Sequence, residues 1–439
     1  MEFKTNNSLP LSSNYEQIKT KVKFWQSSYK VDEDYLDGEN ARGEHILVQL
    51  PCEELRDYEI RKKISETRNY TGPIVNKYVG SIFRTWPDRS DDSIFEDFNE
   101  TIDGGIHSFM RDTTTQMLIQ GRVGVGIGIN NEEDELYTLK LFNNEDILNV
   151  ETEENKPIAV LVNLVYDKNN NEGTARYYDK DFYQDIKYEG PPLKAKILEV
   201  GKLIEHGMAD LPFIIVEPIL GSSFVSPIAN SQVKIINLLS LLSVEIVDNT
   251  FTRWIISGVR DLENDVVPVE GVLQDKKPIT WSTKRIMTFE ETEVTPHRLG
   301  ADTNQATSIR ESVKEAEEHL YRAAGVGANY NIESGGEQSG LSRLVQLEDF
   351  SIIANHIIQT IQKLENQILE IVATTNDQEY IPTTYSTDVL DEKWSEEIAK
   401  IRDIREFSLV NDKLIAYLLY KLIGSEFDIP EEMFDEESN

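Results

Sequence analysis

Residues 226–250 read SPIANSQVKIINLLSLLSVEIVDNT, and the fold turns on how this stretch hides its apolar side chains. Ser226 followed by Pro227 marks a helix start, because serine caps free N–H groups and proline, which has none, fits the first helical position. Beyond it, Ile235, Leu238, Leu239, Leu242 and Ile246 line one side and Val244 and Val247 another. Only a narrow stripe is polar: Lys234, Asn237, Glu245 and Asp248. A helix this apolar is buried between neighbours. Those neighbours are either the rest of the chain or other copies of it, and the sequence favours neither.

Downstream the pattern changes twice. Phe251–Val259, Ile279–Trp281 and Arg285–Phe289 read as short strands in a segment that ends near Gly300. A second helix then starts at Thr303–Asn304, with Ile309, Val313, Ala316, Leu320 and Ala323 stepping by four and three along one face of a charged rod. From Gly325 to Gly340 there are five glycines in sixteen residues, a composition that resists regular structure because glycine loses the most backbone freedom on ordering. A third helix follows from Leu341 to about Ala373, with Phe350, Ile353, Ala354, Ile357, Ile361, Leu364, Ile368 and Ile371 in register. Thr383–Val389 reads as a strand and Glu392–Arg405 and Asp412–Leu422 as helices. The tail 425–439 holds seven acids and no base, a solvated or disordered composition.

Upstream, Tyr58, Ile60, Ile64, Tyr70, Ile74, Tyr78 and Phe83 suit a helix bent at Gly72-Pro73. A further helix spans Ile106–Gln120 and stops at Gly121. The period then shortens to two, with Val123, Val125, Ile127 and Ile129 alternating with glycine and arginine. Leu136–Phe142, Pro157–Tyr166, Ala175–Tyr183 and Lys194–Ile204 continue as strands, and Leu211–Glu217 closes the sheet. The fold class that follows is α+β, with a mostly antiparallel sheet. The first fifty residues carry no assignable pattern.

Composition narrows the function. The 439 residues hold 44 Lys and Arg against 78 Asp and Glu, a net charge of −34, which argues against a protein that coats DNA by neutralising phosphates. The one cysteine, Cys52, forms no disulfide within the chain. No apolar run reaches the ~20 residues of a membrane span, and the start lacks a secretory signal, so a cytoplasmic site of synthesis is expected. Gly121-Arg-Val-Gly124-Val-Gly126-Ile-Gly128 follows a helix and lies within a strand. A dinucleotide fingerprint has the reverse order, so close packing of backbone against that strand is the better reading. No phosphate-loop motif occurs, and the histidines at 45, 107, 206, 297, 319 and 356 never fall at zinc spacing. Serines beside glycine, such as Ser222 and Ser339, are turn formers, and acidic pairs such as Glu290-Glu291 and Glu317-Glu318 are solvated surface. No catalytic residue, cofactor or metal site is expected, and the chain reads as a non-enzyme.

Several passages, taken in order, resemble the phage portal proteins, the ring-shaped head-to-tail connectors of tailed bacteriophages. Tyr58-Glu-Ile-Arg61 through Tyr70-Thr-Gly to Val79-Gly-Ser-Ile-Phe-Arg84 is similar to their early helices, and Leu118-Ile-Gln-Gly-Arg122-Val-Gly-Val125 to the helix-to-strand passage that follows. His206-Gly-Met-Ala-Asp-Leu-Pro-Phe213 resembles the end of the sheet before the stem, and Ser339-Gly-Leu-Ser-Arg343 the opening of the wing helix. Two departures stand beside the resemblance, which covers most of residues 55–425: the region after Ala373 is short for a large crown, and the first fifty residues match nothing in the family.

The resemblance implies an N-terminal arm and wing over 1–225, stem helices at 226–250 and 303–324, and a clip at 251–302. It implies a tunnel loop at 325–340, a long wing helix at 341–375, and a C-terminal wing or crown with an acidic tail at 376–439. It implies a homo-oligomeric ring of twelve at one capsid vertex, the channel for genome packaging and ejection, assembled in the host cytoplasm and carried in the virion. Its partners would be the packaging ATPase (terminase), neck or adaptor proteins, and major capsid and scaffold proteins. Double-stranded DNA would pass non-specifically, and no membrane would be involved. On this reading Asn329, Tyr330, Asn331, Glu333 and Gln338 belong to the tunnel loop and DNA channel; the alternative is that the segment is an ordinary helix connector. Lys276, Lys277, Lys284 and Arg285, the densest basic cluster of the clip, meet motor or neck proteins or else balance local charge. The competing reading is an acidic cytoplasmic scaffolding or binding protein without a pore.

Overall fold

The computed structural model describes residues 8–31, 46–51, 53–89, 93–102, 104–130, 136–154, 156–167, 169–218, 223–250, 253–257, 287–289, 297–299, 303–326, 340–387 and 389. The fold is α+β, with mixed helices and mainly antiparallel sheets. The chain divides into two compact units. One comprises Met1–Lys30, Asn69–Asn230 and Glu318–Asn439, the other Val31–Arg68 and Ser231–Glu317.

The first unit opens with α1 (Tyr15–Tyr29), which the sequence did not announce: its apolar positions are few and only Tyr15, Val22, Ser27 and Ser28 are buried. Helix α2 (Leu55–Ile64) belongs to the second unit, and α3 (Thr71–Ile82) returns to the first. The break between α2 and α3 falls at residues 65–70, not at Gly72-Pro73. The missing N–H of Pro73 costs nothing in a first turn, and Asn69 Oδ1 accepts the Gly72 N–H at 3.0 Å. Helix α4 (Ser93–Thr101) covers the sheet edge with Phe98, fully buried. Helix α5 (Gly105–Gln120) packs among α1, α3 and α4, and ends at Gly121 as expected.

Two sheets follow where the sequence suggested one. Strands β1 (Val123–Asn130), β2 (Leu136–Asn143) and β8 (Phe213–Val216) form a three-stranded sheet in the order β2-β1-β8. Strands β3 (Ile147–Glu153), β4 (Lys156–Asp167), β5 (Glu172–Tyr178), β6 (Phe182–Glu189) and β7 (Lys196–Glu205) form a five-stranded antiparallel meander. The expected strand Ala175–Tyr183 therefore straddles a hairpin. The turn at Asp179 is set by its carboxylate, which accepts the Asp181 and Phe182 N–H groups. The expected closing strand, now β8, pairs with β1 and not with the meander.

The meander buries both faces. Val160, Val162 and Tyr178 pack on Phe142, Leu211 and Phe213 of the smaller sheet and its approach, while Leu161, Ala175, Ile186 and Tyr188 on the other face are covered by Leu9, Leu11 and Tyr15. The glycines of β1 serve this packing. A Cβ at Gly124 would lie 2.4 Å from the Phe213 ring and one at Gly126 3.0 Å from Phe142. The strand is glycine-rich because aromatic rings lie on it, so side chains press there in place of the backbone approach expected from sequence.

Helix α6 (Ser226–Thr250) is the apolar helix quoted above, and the unit boundaries fall inside it and inside α7 (Thr303–Ala323). Ser226 is the first helical residue, not its cap: the Val225 carbonyl accepts the Ile228 and Ala229 N–H groups, and Ser223 Oγ accepts the Val225 N–H. Between α6 and α7 the second unit holds β9 (Arg253–Ser257), β10 (Met287–Phe289) and β11 (His297–Leu299), ordered β10-β9-β11, with β10 parallel and β11 antiparallel to β9. The expected strand Ile279–Trp281 lies outside the described residues. On α7 the buried row is Val313, Ala316, Leu320 and Ala324; Ala323 faces solvent, because the last step is four residues, not three. Helix α8 (Gly340–Thr375) is 36 residues long and buries Phe350, Ala354, Ile357, Ile361, Leu364 and Ile368 as predicted, while Ile353 and Ile371 of the expected row are only half-buried. The expected strand Thr383–Val389 reduces to one antiparallel bridge, Asp88 to Thr384. The expected helices Glu392–Arg405 and Asp412–Leu422 and the acidic tail lie outside the described residues.

Candidate functional site

Asn329, Tyr330, Asn331, Glu333 and Gln338, and likewise Lys276, Lys277, Lys284 and Arg285, lie outside the described residues. The structure instead describes the supports on either side of them. Gly325, the first glycine of the segment, closes α7. The Val326 N–H donates to the Tyr321 carbonyl and the Gly325 N–H to the Arg322 carbonyl, the paired bonds of a Schellman cap. Gly325 has φ +64°, and a Cβ there would sit 2.5 Å from Ile353 Cδ1.

Tyr78 fastens this cap. Its hydroxyl donates to the Ala324 carbonyl at 2.9 Å, its ring stacks on Phe350 at 4.5 Å, and Phe224 meets it edge-on at 5.0 Å. One tyrosine of α3 thus joins the end of α7, the start of α8's packed stretch and the approach to α6. Burial pushes its hydroxyl well above the usual tyrosine range, so it stays a neutral donor. Ser223 performs the matching task for α6: its hydroxyl is within 2.6 Å of the Ile119 carbonyl and 3.1 Å of the Leu118 carbonyl. Both ends of the helix–β–helix segment are therefore tied to the α3–α5 layer by buried hydroxyls.

In the second unit a buried arginine does the tying. Arg61, 2% exposed, donates Nε and Nη2 to the Glu53 carboxylate at 2.7 Å each, Nη2 also to the Val48 carbonyl at 2.7 Å, and Nη1 to Ser240 Oγ of α6 at 2.8 Å. Asn237 adds a second clasp: its Nδ2 donates to the Ile46 carbonyl and its Oδ1 accepts the Val48 N–H. Residues 46–51 and Glu53 are thereby strapped to α6 over Ile236, Leu47 and Tyr58. Burial pushes the Glu53 carboxyl up, but the Arg61 guanidinium outweighs it and holds that carboxyl below the usual range. Asn237 was read as part of a polar stripe; Arg61 belongs to the quoted Tyr58–Arg61 passage, and nothing in sequence singled out its partners.

A third cluster secures α8. Glu365, 1% exposed, accepts both Arg89 Nε and Nη2 at 2.6 and 3.0 Å, Thr383 Oγ1 at 3.1 Å and Tyr385 Oη at 2.5 Å. Burial, then the Glu365 charge, drive the Tyr385 hydroxyl well above its ordinary value. Nearby, Trp86, 71% exposed, stacks on His107 at 4.1 Å. Burial foremost, then the Arg89 charge, lower the His107 pKa, so this imidazole is uncharged near neutral pH.

The two other quoted passages are joints as well. Gln120, fully buried, donates to Asn143 Oδ1 and accepts the Asn144 N–H at 2.7 Å each, holding α5 to the β2–β3 turn. His206 Nδ1 accepts the Met208 N–H, so Nε2 carries the proton and donates to the Asp179 carbonyl. The Ala209 N–H then meets Thr375 Oγ1 at the end of α8. These groups are committed to backbone and side-chain partners within the fold. Among the described residues no group of three or more His, Cys, Asp or Glu is placed to hold a metal ion, and no described helix is long and apolar enough to cross a membrane. No protein-family model matches this sequence, and no curated protein matches it.

Proposed function

We propose that the chain is a portal-type connector: a ring of identical copies around a channel through which a separate ATPase drives genomic DNA and to which neck proteins attach. The observation that carries this reading is the state of α6. Its first half is sealed, with Ile228, Ala229, Ile235, Ile236 and Leu239 buried. Its second half is not: Leu241, Leu242, Val244 and Val247 are only half-buried and Ile246 is 46% exposed. An apolar rod left open to this degree gains from burial against a neighbour, and a closed ring supplies the same neighbour to every copy.

The element order supports the same reading: apolar helix, small β segment, charged helix, long helix. In it α6 and α7 are the stem, 251–302 the clip, 325–340 the tunnel loop and α8 the wing helix. The joints at Ser223 and Tyr78 fix the start of α6 and the end of α7, and those at Arg61 and Glu365 hold the middle of α6 and of α8. The charge of −34 fits a passage for DNA, since an acidic wall repels phosphates and leaves no deep binding minimum. The protein makes no bonds itself on this reading. Electron microscopy of the purified chain tests it: rings with a central hole support it, and a uniform population of single chains at high concentration sinks it.

A further inference from the structure

The last strand of the meander is exposed in a way that nothing else in the structure accounts for. β7 pairs with β6 on one side, and on the other its described contact is a single bridge, Ser8 to Lys196. Leu198, Val200, Leu203 and Ile204 are 50%, 43%, 48% and 45% exposed. A long edge strand carrying apolar side chains is a template for pairing. We propose that the outer edge of β7 is a docking surface for a second copy of this chain, which pairs there antiparallel through its own β7, about a two-fold axis at Val200.

The register argues for a copy as the occupant. Two bulges in β7 set Ile197 opposite Tyr188, Val200 opposite Ile186 and Leu203 opposite Gln184. Residues 184, 186 and 188 share one face of β6, the face on which Ile186 and Tyr188 belong to the covered core. Ile197, Val200 and Leu203 therefore continue that core face past its cover. An antiparallel partner centred on Val200 sets Ile197 against Leu203 of the second copy and Val200 against its counterpart, so the apolar row runs unbroken across the axis.

Charge agrees with this. The strand bears Lys196, Glu199, Lys202 and Glu205, two of each sign in a chain dominated by acids. Reversed against itself, the series brings Lys202 beside Glu199 of the second copy on one face and opposes no like charges, whereas edges that resist pairing bear charges that repel a copy. A two-fold contact closes at two copies and a ring needs a head-to-tail one, so this pairing stands independently of the ring reading.

Cross-linking tests it on the full chain. Cys52 is the only cysteine, so Cys52→Ser gives a clean background. Residues opposed on an antiparallel pair have Cα atoms about 4.5–5.5 Å apart, within disulfide reach. Val200→Cys is expected to yield a disulfide-linked dimer under mild oxidation at low protein concentration. Val165→Cys, 63% exposed on β4 of the same sheet, is expected to stay at background. Equal linking of both, or none at Val200, overturns the proposal. So does linking at Val200 only after residues 1–7 are removed, which would make the chain's own N-terminal segment the occupant. Independently, Val200→Lys places two like charges on the axis and should halve the mass seen by sedimentation; an unchanged mass overturns the pairing.

Discussion

Helix α8 buries apolar side chains along most of its described length, among them Ile357, Ile361, Leu364, Ile368 and Leu369. Helix α6, built from equally apolar residues, buries its first half and leaves Leu241, Leu242, Val244, Ile246 and Val247 partly open. The two differ in their surroundings, not in their composition. α8 lies beside α3, α5 and β8 and is tied down by Glu365, whereas the second half of α6 lies beyond the strap that Arg61 and Asn237 make at Ser240 and Ile46. Apolar periodicity says that a helix face must be covered and is silent on what covers it.

If α8 is held by the chain itself, its variants should cost folding free energy. Glu365→Ala leaves the Arg89 guanidinium buried and unpaired and should destabilise by about 3–5 kcal/mol in denaturant unfolding. Ile361→Ala should cost about 2–5 kcal/mol through the cavity it opens; values near zero for both would erase the contrast with α6. At the joint between the rods, Gly325→Ala forces a left-handed residue to carry a Cβ against Ile353 and should cost about 1–2 kcal/mol. That figure is readable as a fall in thermal midpoint.

On α6 the expectation inverts. Ile246→Ser should change unfolding free energy by less than about 0.5 kcal/mol, as for an exposed site, yet shift the chain from large assemblies to smaller ones in sedimentation. A loss of stability without a loss of assembly would mean that the open half packs within the chain.

The smallest effect is one of pH. Glu53 has a lowered folded pKa, so the unfolded chain takes up its proton first as pH falls. Its stabilisation is complete above the unfolded carboxylate value of about 4.3 and disappears as pH drops through the lowered folded value. Glu53→Gln should therefore be less stable than wild type at pH 7, and the gap should close on acidification.

Much of the frame was legible in the sequence. The α+β class, the three rods and most strands follow from periods of 3.6 and 2, because a helix or strand with one apolar face announces its own geometry. Long-range polar contacts left no such trace. Arg89 and Glu365 are 276 positions apart, and in a chain with 78 acids no local pattern marks the one that will be buried. The hairpin inside Ala175–Tyr183 was missed for a related reason: aromatic residues run straight through the turn, and only the Asp179 carboxylate marks it. The residues expected to face a channel or a motor lie outside the described part of the chain and remain proposals.

The sequence by itself determined which segments become rods and strands, since periodic burial is a local property of the chain. It also determined the excess of acid over base. Only the tertiary structure decided that the sheet is two sheets, that Gly325 caps a helix, that hydroxyls clamp helix ends and that guanidinium groups hold helix middles. It alone decided that the second half of α6 is only partly buried and that the edge of β7 is exposed. Each of these depends on which distant atoms arrive at one place, and that is settled by packing the whole chain together.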